Sequence, residues 1–175
     1  DAPRIAGIVP IDPAQTRWHS TGLYAAPGDV ITIDVPEEIL ERGIILRIGG
    51  HADNIAGRDI WLRSPEVHWT YALHARQVRA ASPFGGALYI DVGTENRDLA
   101  PFHVTLSGAV EAPMFVLGET RDEDWIERIR TAPAPYAELV SERLIISLPS
   151  NLIRTLDDPT AVMTFWNDVV RFQDE

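Results

Sequence analysis

The chain has five histidines, and histidine is the side chain most often used to bind metals or transfer protons near neutral pH: His19, His51, His68, His74 and His103. None of them begins the His-Glu-x-x-His pattern of a helical zinc site. His51 and Asp53 follow a Gly-Gly turn in a polar segment that predicts a loop. They are either candidate ligand contacts, or a loop histidine beside an aspartate that bonds the turn.

Three tryptophans lie in or beside predicted strands: Trp18, Trp61 and Trp69. An indole ring can stack on the flat face of a sugar, and it also packs well in a protein core. Both roles remain open for all three residues. We place Trp61 and the nearby Arg63 with His51 and Asp53 as the candidate ligand contacts of this chain.

The common signatures of catalysis are missing from the sequence. It has no Gly-x-Ser-x-Gly elbow and no Gly-x-Gly-x-x-Gly turn. It has no cysteine, which excludes disulfides, thiolate nucleophiles and cysteine-bound zinc. Paired carboxylates fall at predicted helix starts, where they complement the helix dipole. The sequence therefore predicts no catalytic residue and no metal ligand within this chain.

Composition predicts a folded, acidic protein. Of the 175 residues, 45% are hydrophobic and 23% are charged, so the chain can bury a core. The formal net charge is -11 and the basic residues do not cluster, which argues against a nucleic-acid partner. No apolar run approaches the roughly 20 residues of a membrane span. Because the chain begins at Asp1, we expect that a leader or an upstream domain precedes it.

Short alternating segments separated by Gly and Pro turns predict an antiparallel β-sandwich over residues 1–118. After an extended lead-in, the predicted strands are Val30–Val35, Ile44–Ile48, Leu88–Val92, Phe102–Ser107 and Met114–Leu117. Gly85-Gly86 precedes the third of these strands. This glycine pair forms either a plain turn or a place where another backbone or a ligand approaches closely.

Residues 119–175 change character and predict a small α/β segment. Thr120 to Glu123 fits a helix capping box, and the apolar run Arg143–Leu148 predicts a strand buried on both faces. Asp157-Asp158-Pro159 predicts the start of a helix with an apolar face of Val162, Phe165, Trp166, Val169 and Phe172. One strand and one helix cannot cover each other. This segment is therefore either a layer docked on the sandwich or the beginning of a second domain.

Four segments, in this order, carry a family resemblance: Ser20–Tyr24 with Pro27-Gly28, Ile48–Asp53, Ser82–Ile90, and Ala137–Leu139 through Pro149–Leu152. Together they resemble the M60-like (enhancin-type) zinc metallopeptidases. In that family a β-sandwich precedes an α/β catalytic part, and members act on heavily glycosylated proteins such as mucins. The resemblance extends over most of the chain, from Trp18 to Gln173.

The resemblance implies a mainly β chain: an antiparallel β-sandwich followed by the α/β segment that begins a catalytic domain. It implies a non-catalytic N-terminal part of a secreted, periplasmic or cell-surface metallopeptidase that supports the catalytic domain and contacts glycan. Zinc is implied for the full-length protein, and the implied partners are a glycoprotein or glycan and the rest of the catalytic domain. The alternatives are a stand-alone carbohydrate- or protein-binding module and a purely structural domain.

Overall fold

A computed structural model describes residues 2–173 and divides the chain into two compact units. One unit comprises residues 4–109, and the other comprises residues 110–173 with residues 2 and 3. Among the described residues, no helix is both long and apolar enough to cross a bilayer.

The first unit is built on eight strands: β1 (Ile5–Ile11), β2 (Trp18–Ala25), β3 (Val30–Asp34), β4 (Ile45–Ile48), β5 (Trp69–Ala72), β6 (Gln77–Ala81), β7 (Gly86–Asp91) and β8 (Phe102–Glu111). They form one sheet in the order β5-β4-β7-β2-β8-β3-β6, with β1 also paired to β8. Six strand pairs are antiparallel: β1–β8, β2–β7, β3–β6, β3–β8, β4–β5 and β4–β7. This arrangement confirms the predicted antiparallel β architecture.

The sheet is nearly closed, because its two end strands meet. Tyr71 of β5 donates its hydroxyl hydrogen to the carbonyl oxygen of Ala81 at the end of β6, at 2.6 Å. The same hydroxyl accepts the Ala81 amide hydrogen, with 3.2 Å between the heavy atoms. Nearby, the rings of Trp69 and Phe84 lie 5.7 Å apart between centroids. Side chains therefore join the edges that have no backbone pairing with each other.

The alternation predicted for β8 is confirmed. Phe102, Val104 and Leu106 are buried in the core, while His103 is exposed. The prediction of a half-buried β7 is wrong. Leu88 and Ile90 face the core and are buried, and Ala87 and Tyr89 on the opposite face are buried too. β7 lies between β4 and β2, and side chains from those neighbours cover its outer face.

The predicted lead-in is extended, but its residues Ile5–Ile11 form a strand of the sheet, which the sequence did not predict, because β1 pairs with β8 over this range. Val9 and Ile11 face the core, whereas Ile8 and Pro10 are exposed. Apolar residues on both faces conceal the two-residue period by which a strand is recognised.

The second unit contains β9 (Met114–Val116), α1 (Asp122–Glu127), β10 (Tyr136–Val140), β11 (Ile145–Pro149) and α2 (Pro159–Gln173). Its sheet has the order β11-β10-β9, antiparallel between β10 and β11 and parallel between β9 and β10. The core contains Phe115, Trp125, Leu139 and Met163. β9, predicted as the last sandwich strand, belongs to this sheet. A domain boundary at residue 118 stays a prediction.

Two local predictions in the second unit are wrong. Thr120 does not cap α1, because its hydroxyl oxygen accepts the Val116 amide hydrogen at 3.0 Å, four residues earlier in the chain. β11 is not buried on both faces: Ile146 and Leu148 pack on the core, but Ser147 is exposed. The strand lies at the edge of its sheet, where one neighbour cannot cover both of its faces.

The predicted start of α2 is confirmed. Asp158 accepts the Ala161 amide hydrogen at 2.8 Å, which satisfies a donor that a helix N-terminus otherwise leaves free. The apolar face of α2 is only partly covered: Pro159 and Met163 are buried, and Val162 packs against the core.

Candidate functional site

The four candidate contacts lie in one connection, residues 49–68 between β4 and β5, which we call the 49–68 loop. Loops longer than about 12–15 residues without regular structure are uncommon in compact domains and are usually functional or disordered. Hydrogen bonds order this loop. The Ile55 amide donates to the Pro65 carbonyl at 3.1 Å, and the Arg58 amide donates to the Ile55 carbonyl at 3.0 Å.

The start of the loop packs closely against Gly86 of the Gly85-Gly86 pair, where β7 begins. Gly86 has a φ of +145°, and a Cβ placed there would lie 2.6 Å from the backbone of Gly49. Gly85 has a φ of +67°, and a Cβ there would lie 2.5 Å from the carbonyl oxygen of Ala25. Of the two interpretations of this pair, the structure therefore supports the close approach of another backbone.

Arg47 on β4 anchors the first residues of the loop. Its Nε donates to the Gly49 carbonyl at 3.0 Å, and its guanidinium also donates to the His51 carbonyl. The side chain is buried and its guanidinium carbon lies 4.3 Å from the centre of the Trp18 ring. Burial lowers the pKa of Arg47 from its ordinary value, and Asp91 opposes that shift. The group stays charged, because arginine does not deprotonate in proteins.

Trp18 has a structural role. Its Nε1 donates to an Asp91 carboxylate oxygen at 3.1 Å, and its ring lies 5.2 Å from the Tyr89 ring. Trp18, Arg47 and Tyr89 thus stack on the outer face of the sheet beneath the loop. Sequence reasoning missed Arg47, although a lone charge between Leu46 and Ile48 in a strand was a usable signal.

Three of the four predicted contact residues come together. The Arg63 guanidinium donates to an Asp53 carboxylate oxygen at 2.5 Å and to the Ser64 and Pro65 carbonyls at 2.7 and 3.2 Å. His51 Nδ1 lies 3.8 Å from the other Asp53 oxygen, which is longer than a hydrogen bond. The Asp53 carboxylate therefore pairs with Arg63 across the loop, and its second oxygen faces His51.

Trp61, the fourth residue, is 55% exposed, which rules out core packing for this side chain. Its Nε1 donates to the Arg58 carbonyl at 3.1 Å, so the ring orientation is fixed. Ile60 and Leu62 beside it are 74% and 94% exposed. The loop thus presents an oriented indole and two aliphatic side chains to solvent.

His68, which is not one of the four predicted contacts, ends the loop. Its Nδ1 is buried and has no hydrogen-bond partner in the described part of the chain, and its Nε2 lies 3.8 Å from a Glu66 carboxylate oxygen. Burial, followed by the nearby Arg47 charge, lowers the pKa of His68.

The residues of the loop do not fit a zinc site. Across residues 2–173, no group of three or more His, Asp or Glu side chains is placed to hold a metal. Asp53 is already paired with Arg63. We derive no metal chemistry from this chain.

Family comparisons cover both units. Residues 2–107 match the N-terminal domain of M60-like peptidases, and residues 108–175 match peptidase M60, enhancin and enhancin-like. Curated relatives include a TRPM8 channel-associated factor homolog of Danio rerio, 38% identical over 89% of this chain, and human TRPM8 channel-associated factor 1, 34% identical over 88%. This chain spans 17% of the length of each.

Solved structures share the fold at low sequence identity. The M60 catalytic domain of Clostridium perfringens ZmpC, in complex with the sialyl T antigen, aligns with a TM-score of 0.69 at 16% identity, over 95% of this chain and 39% of that one. The IMPa metallopeptidase of Pseudomonas aeruginosa aligns with a TM-score of 0.67 at 20% identity, over 99% of this chain and 20% of that one. With a family model matching more than half of its residues, this chain belongs to the M60-like peptidase family.

Proposed function

We propose that this chain is the non-catalytic N-terminal part of an M60-like zinc metallopeptidase that acts on glycoproteins such as mucins. In this proposal the second unit supports the remainder of the catalytic domain. The observation that carries it is an uncovered apolar surface on the second unit.

That surface lies mainly on α2. Phe165 and Phe172 are 61% and 69% exposed, and Trp166 lies edge-on to Phe165 with 5.5 Å between ring centroids. Large apolar groups clustered on one helix face mark an interaction surface, whereas scattered single ones need no explanation. The remainder of the catalytic domain is the occupant that the family match favours, because this chain spans only 39% of the solved ZmpC catalytic domain.

The free edge of β11 also supports a contact with the rest of the catalytic domain. Among the described residues β11 pairs only with β10, so its outer edge carries backbone groups without a strand partner. Half-buried Ile145 follows the exposed turn at Arg143 and lies on the face opposite Ile146. Edge strands with apolar side chains are ready templates for another strand. A further strand of the catalytic domain would complete this sheet.

The experiment places Phe165→Asp in the full-length natural protein and measures chelator-sensitive mucin hydrolysis and the thermal midpoint. Burying an unpaired charge is strongly unfavourable, so both should fall if the catalytic domain covers α2. Ile8→Asp, at an exposed position of β1, is the matched control and should change neither. An unchanged Phe165→Asp protein would refute the supporting role, and a wild-type protein without chelator-sensitive hydrolysis would refute the peptidase assignment.

The second candidate is a binding module without peptidase activity. Its specific support is that the curated relatives named TRPM8 channel-associated factors are 31–38% identical to this chain, against 15–20% for the solved metallopeptidases. The sequence of the native gene product decides between the two, because an M60-like zinc peptidase requires a His-Glu-x-x-His segment and residues 1–175 contain none. A secreted, periplasmic or cell-surface location belongs to the peptidase proposal, and fractionation of the native protein tests it.

A further inference from the structure

We infer that residues 60–62 of the 49–68 loop, which we call the apolar tip, insert their side chains into the surface of a bilayer of zwitterionic phosphocholine lipids. The protein then lies on the membrane without spanning it. This inference is independent of the peptidase assignment, because it rests on side chains of the first unit alone.

The apolar tip exposes three neighbouring large side chains. Ile60, Trp61 and Leu62 are 74%, 55% and 94% exposed. Scattered single apolar residues are normal at a protein surface, whereas adjacent ones mark a contact with something else that is apolar. Successive side chains leave a short stretch of backbone in different directions. A fluid medium that surrounds the tip therefore covers all three more readily than a single protein face does.

Polar groups at and beside the tip are already bonded within the loop. The Trp61 Nε1 donates to the Arg58 carbonyl at 3.1 Å, so the indole keeps its hydrogen bond when the ring leaves water. The Arg58 amide donates to the Ile55 carbonyl at 3.0 Å, and the Ala56 amide donates to the Asn54 side-chain oxygen at 2.8 Å. A polar group that enters an apolar medium with its bond intact avoids most of the cost that an unpaired one suffers. Tryptophan is also enriched where membranes meet water.

The two residues before the tip complement a phosphocholine headgroup. Arg58 and Asp59 are adjacent in the sequence and both are exposed. A phosphocholine carries a phosphate, which a guanidinium binds, and a quaternary ammonium, which a carboxylate attracts. The face of the Trp61 ring attracts the same ammonium group through its electron-rich surface. Each charge beside the tip thus has an opposite charge in one headgroup layer.

The charge of the chain argues against an anionic bilayer. The formal net charge is -11. The 49–68 loop itself holds three acidic residues against two arginines, a formal charge of -1 with neutral histidines. Anionic lipids attract basic segments, and this loop is not one. We therefore expect phosphatidylserine to weaken the binding.

The loop is ordered before it meets the bilayer. Arg47 ties the carbonyls of Gly49 and His51 to the sheet, and the Ile55 amide donates to the Pro65 carbonyl. An ordered loop loses little conformational freedom when its tip inserts. Three side chains are then enough for a weak and reversible association with the surface.

The test measures how the full-length natural protein binds phosphatidylcholine vesicles by co-sedimentation. Trp61→Ala and Leu62→Ala should each lower the partition coefficient about tenfold, because each withdraws most of a side chain from the apolar phase. Ile60→Ala should lower it about fivefold. Ile8→Ala is the matched control: it removes the same atoms from β1, where Ile8 is 71% exposed, and should change the coefficient less than about twofold.

Fluorescence locates the tip in the bilayer. Bromine atoms on the lipid acyl chains quench a tryptophan that enters them. The contribution of Trp61 is the difference between the wild-type protein and Trp61→Phe, since this chain alone has five tryptophans. We expect quenching in the wild-type protein and its loss in Trp61→Phe, which keeps an aromatic ring and most of the binding. Soluble phosphocholine should compete only weakly, because insertion supplies most of the affinity.

Several results would overturn the inference. One is a wild-type protein that does not bind phosphatidylcholine vesicles, and another is an equal loss in Ile60→Ala and Ile8→Ala. Stronger binding to vesicles that contain phosphatidylserine would refute the choice of a zwitterionic surface, and full competition by soluble phosphocholine would refute insertion. Unchanged vesicle binding by Leu62→Ala together with loss of a protein partner would make the tip a protein-docking loop. Thermal midpoints of the variants should match the wild type, because the substituted side chains are exposed.

Discussion

Removal of one hydroxyl group should open the seam that nearly closes the eight-stranded sheet. Tyr71 gives and receives a hydrogen bond with the backbone of Ala81, at 2.6 and 3.2 Å, and both residues are half-buried. Tyr71→Phe keeps the ring and its packing and deletes only these two bonds. The Ala81 amide and carbonyl, which face away from β3, would then depend on water.

The magnitude follows from the two lost bonds. A typical intramolecular hydrogen bond contributes about 0.5–1.5 kcal/mol net, and a buried group left without a partner costs about 1–3 kcal/mol. Because water can reach this half-buried seam, we expect Tyr71→Phe to lower the free energy of unfolding by about 2 kcal/mol. The retained ring leaves no cavity, so no further term adds to this value.

Urea unfolding followed by tryptophan fluorescence measures this change, with the slope against urea expected to stay constant. Hydrogen exchange at the Ala81 amide gives a local measure, and this amide should exchange faster in the variant. Tyr136→Phe is the control: Tyr136 is 46% exposed, so its free energy of unfolding should shift by less than about 0.5 kcal/mol. A Tyr71→Phe protein with the wild-type midpoint and wild-type Ala81 exchange would show that the seam does not depend on this hydroxyl.

Two further predictions concern the loop and its base. Gly86→Ala should lower the free energy of unfolding by about 3 kcal/mol or more, because residue 86 has a φ of +145° and its new Cβ would lie 2.6 Å from the backbone of Gly49. Gly57→Ala is the control and should be nearly neutral, because its Cβ would meet nothing within 4 Å. Equal urea midpoints for the two variants would contradict the close approach. The second prediction concerns pH. Burial lowers the pKa of His19 and of His68 below 6.5, and the Arg47 charge lowers the pKa of His68 further. The unfolded chain therefore binds protons first on acidification, so the contribution of these two histidines to the free energy of unfolding should fall as the pH drops through 6.5 and level off below their native pKa values. The double variant His19→Gln/His68→Gln should flatten this part of the urea-unfolding profile, and an unchanged slope would show that other groups cause it.

The sequence predicted strands best where apolar residues alternate cleanly. Phe102 to Ser107 gave both the strand and its inward face, and Asp157-Asp158-Pro159 gave the start of α2. Each of these signals is local, because the side-chain period or the cap lies within a few residues. The family resemblance is confirmed by the family models that match residues 2–107 and 108–175.

Predictions failed where a residue outside the local pattern decides the outcome. The alternation in β7 predicts a half-buried strand, but Trp18, which is far away in the chain, covers Tyr89 on the outer face. The sequence around Thr120 predicts a helix cap, but the Thr120 hydroxyl oxygen accepts a hydrogen bond from the Val116 amide instead. The pairing of Asp53 with Arg63 likewise depends on the path of the loop, and that path depends on Arg47. Residue type identified the contact candidates, and only the fold could show which of them meet.

The uncovered face of α2 implies that the two units differ in how much stability they have available. Burying one large apolar side chain contributes about 1.5–3 kcal/mol. Phe165, Trp166 and Phe172 are 61%, 44% and 69% exposed, so together they represent about 3–5 kcal/mol that the second unit does not gain from the described residues. A whole domain is stable by only about 5–15 kcal/mol. A partner that covers this face would consequently decide whether the second unit is marginal or firmly folded, while the first unit already buries its own core from β1 to β8.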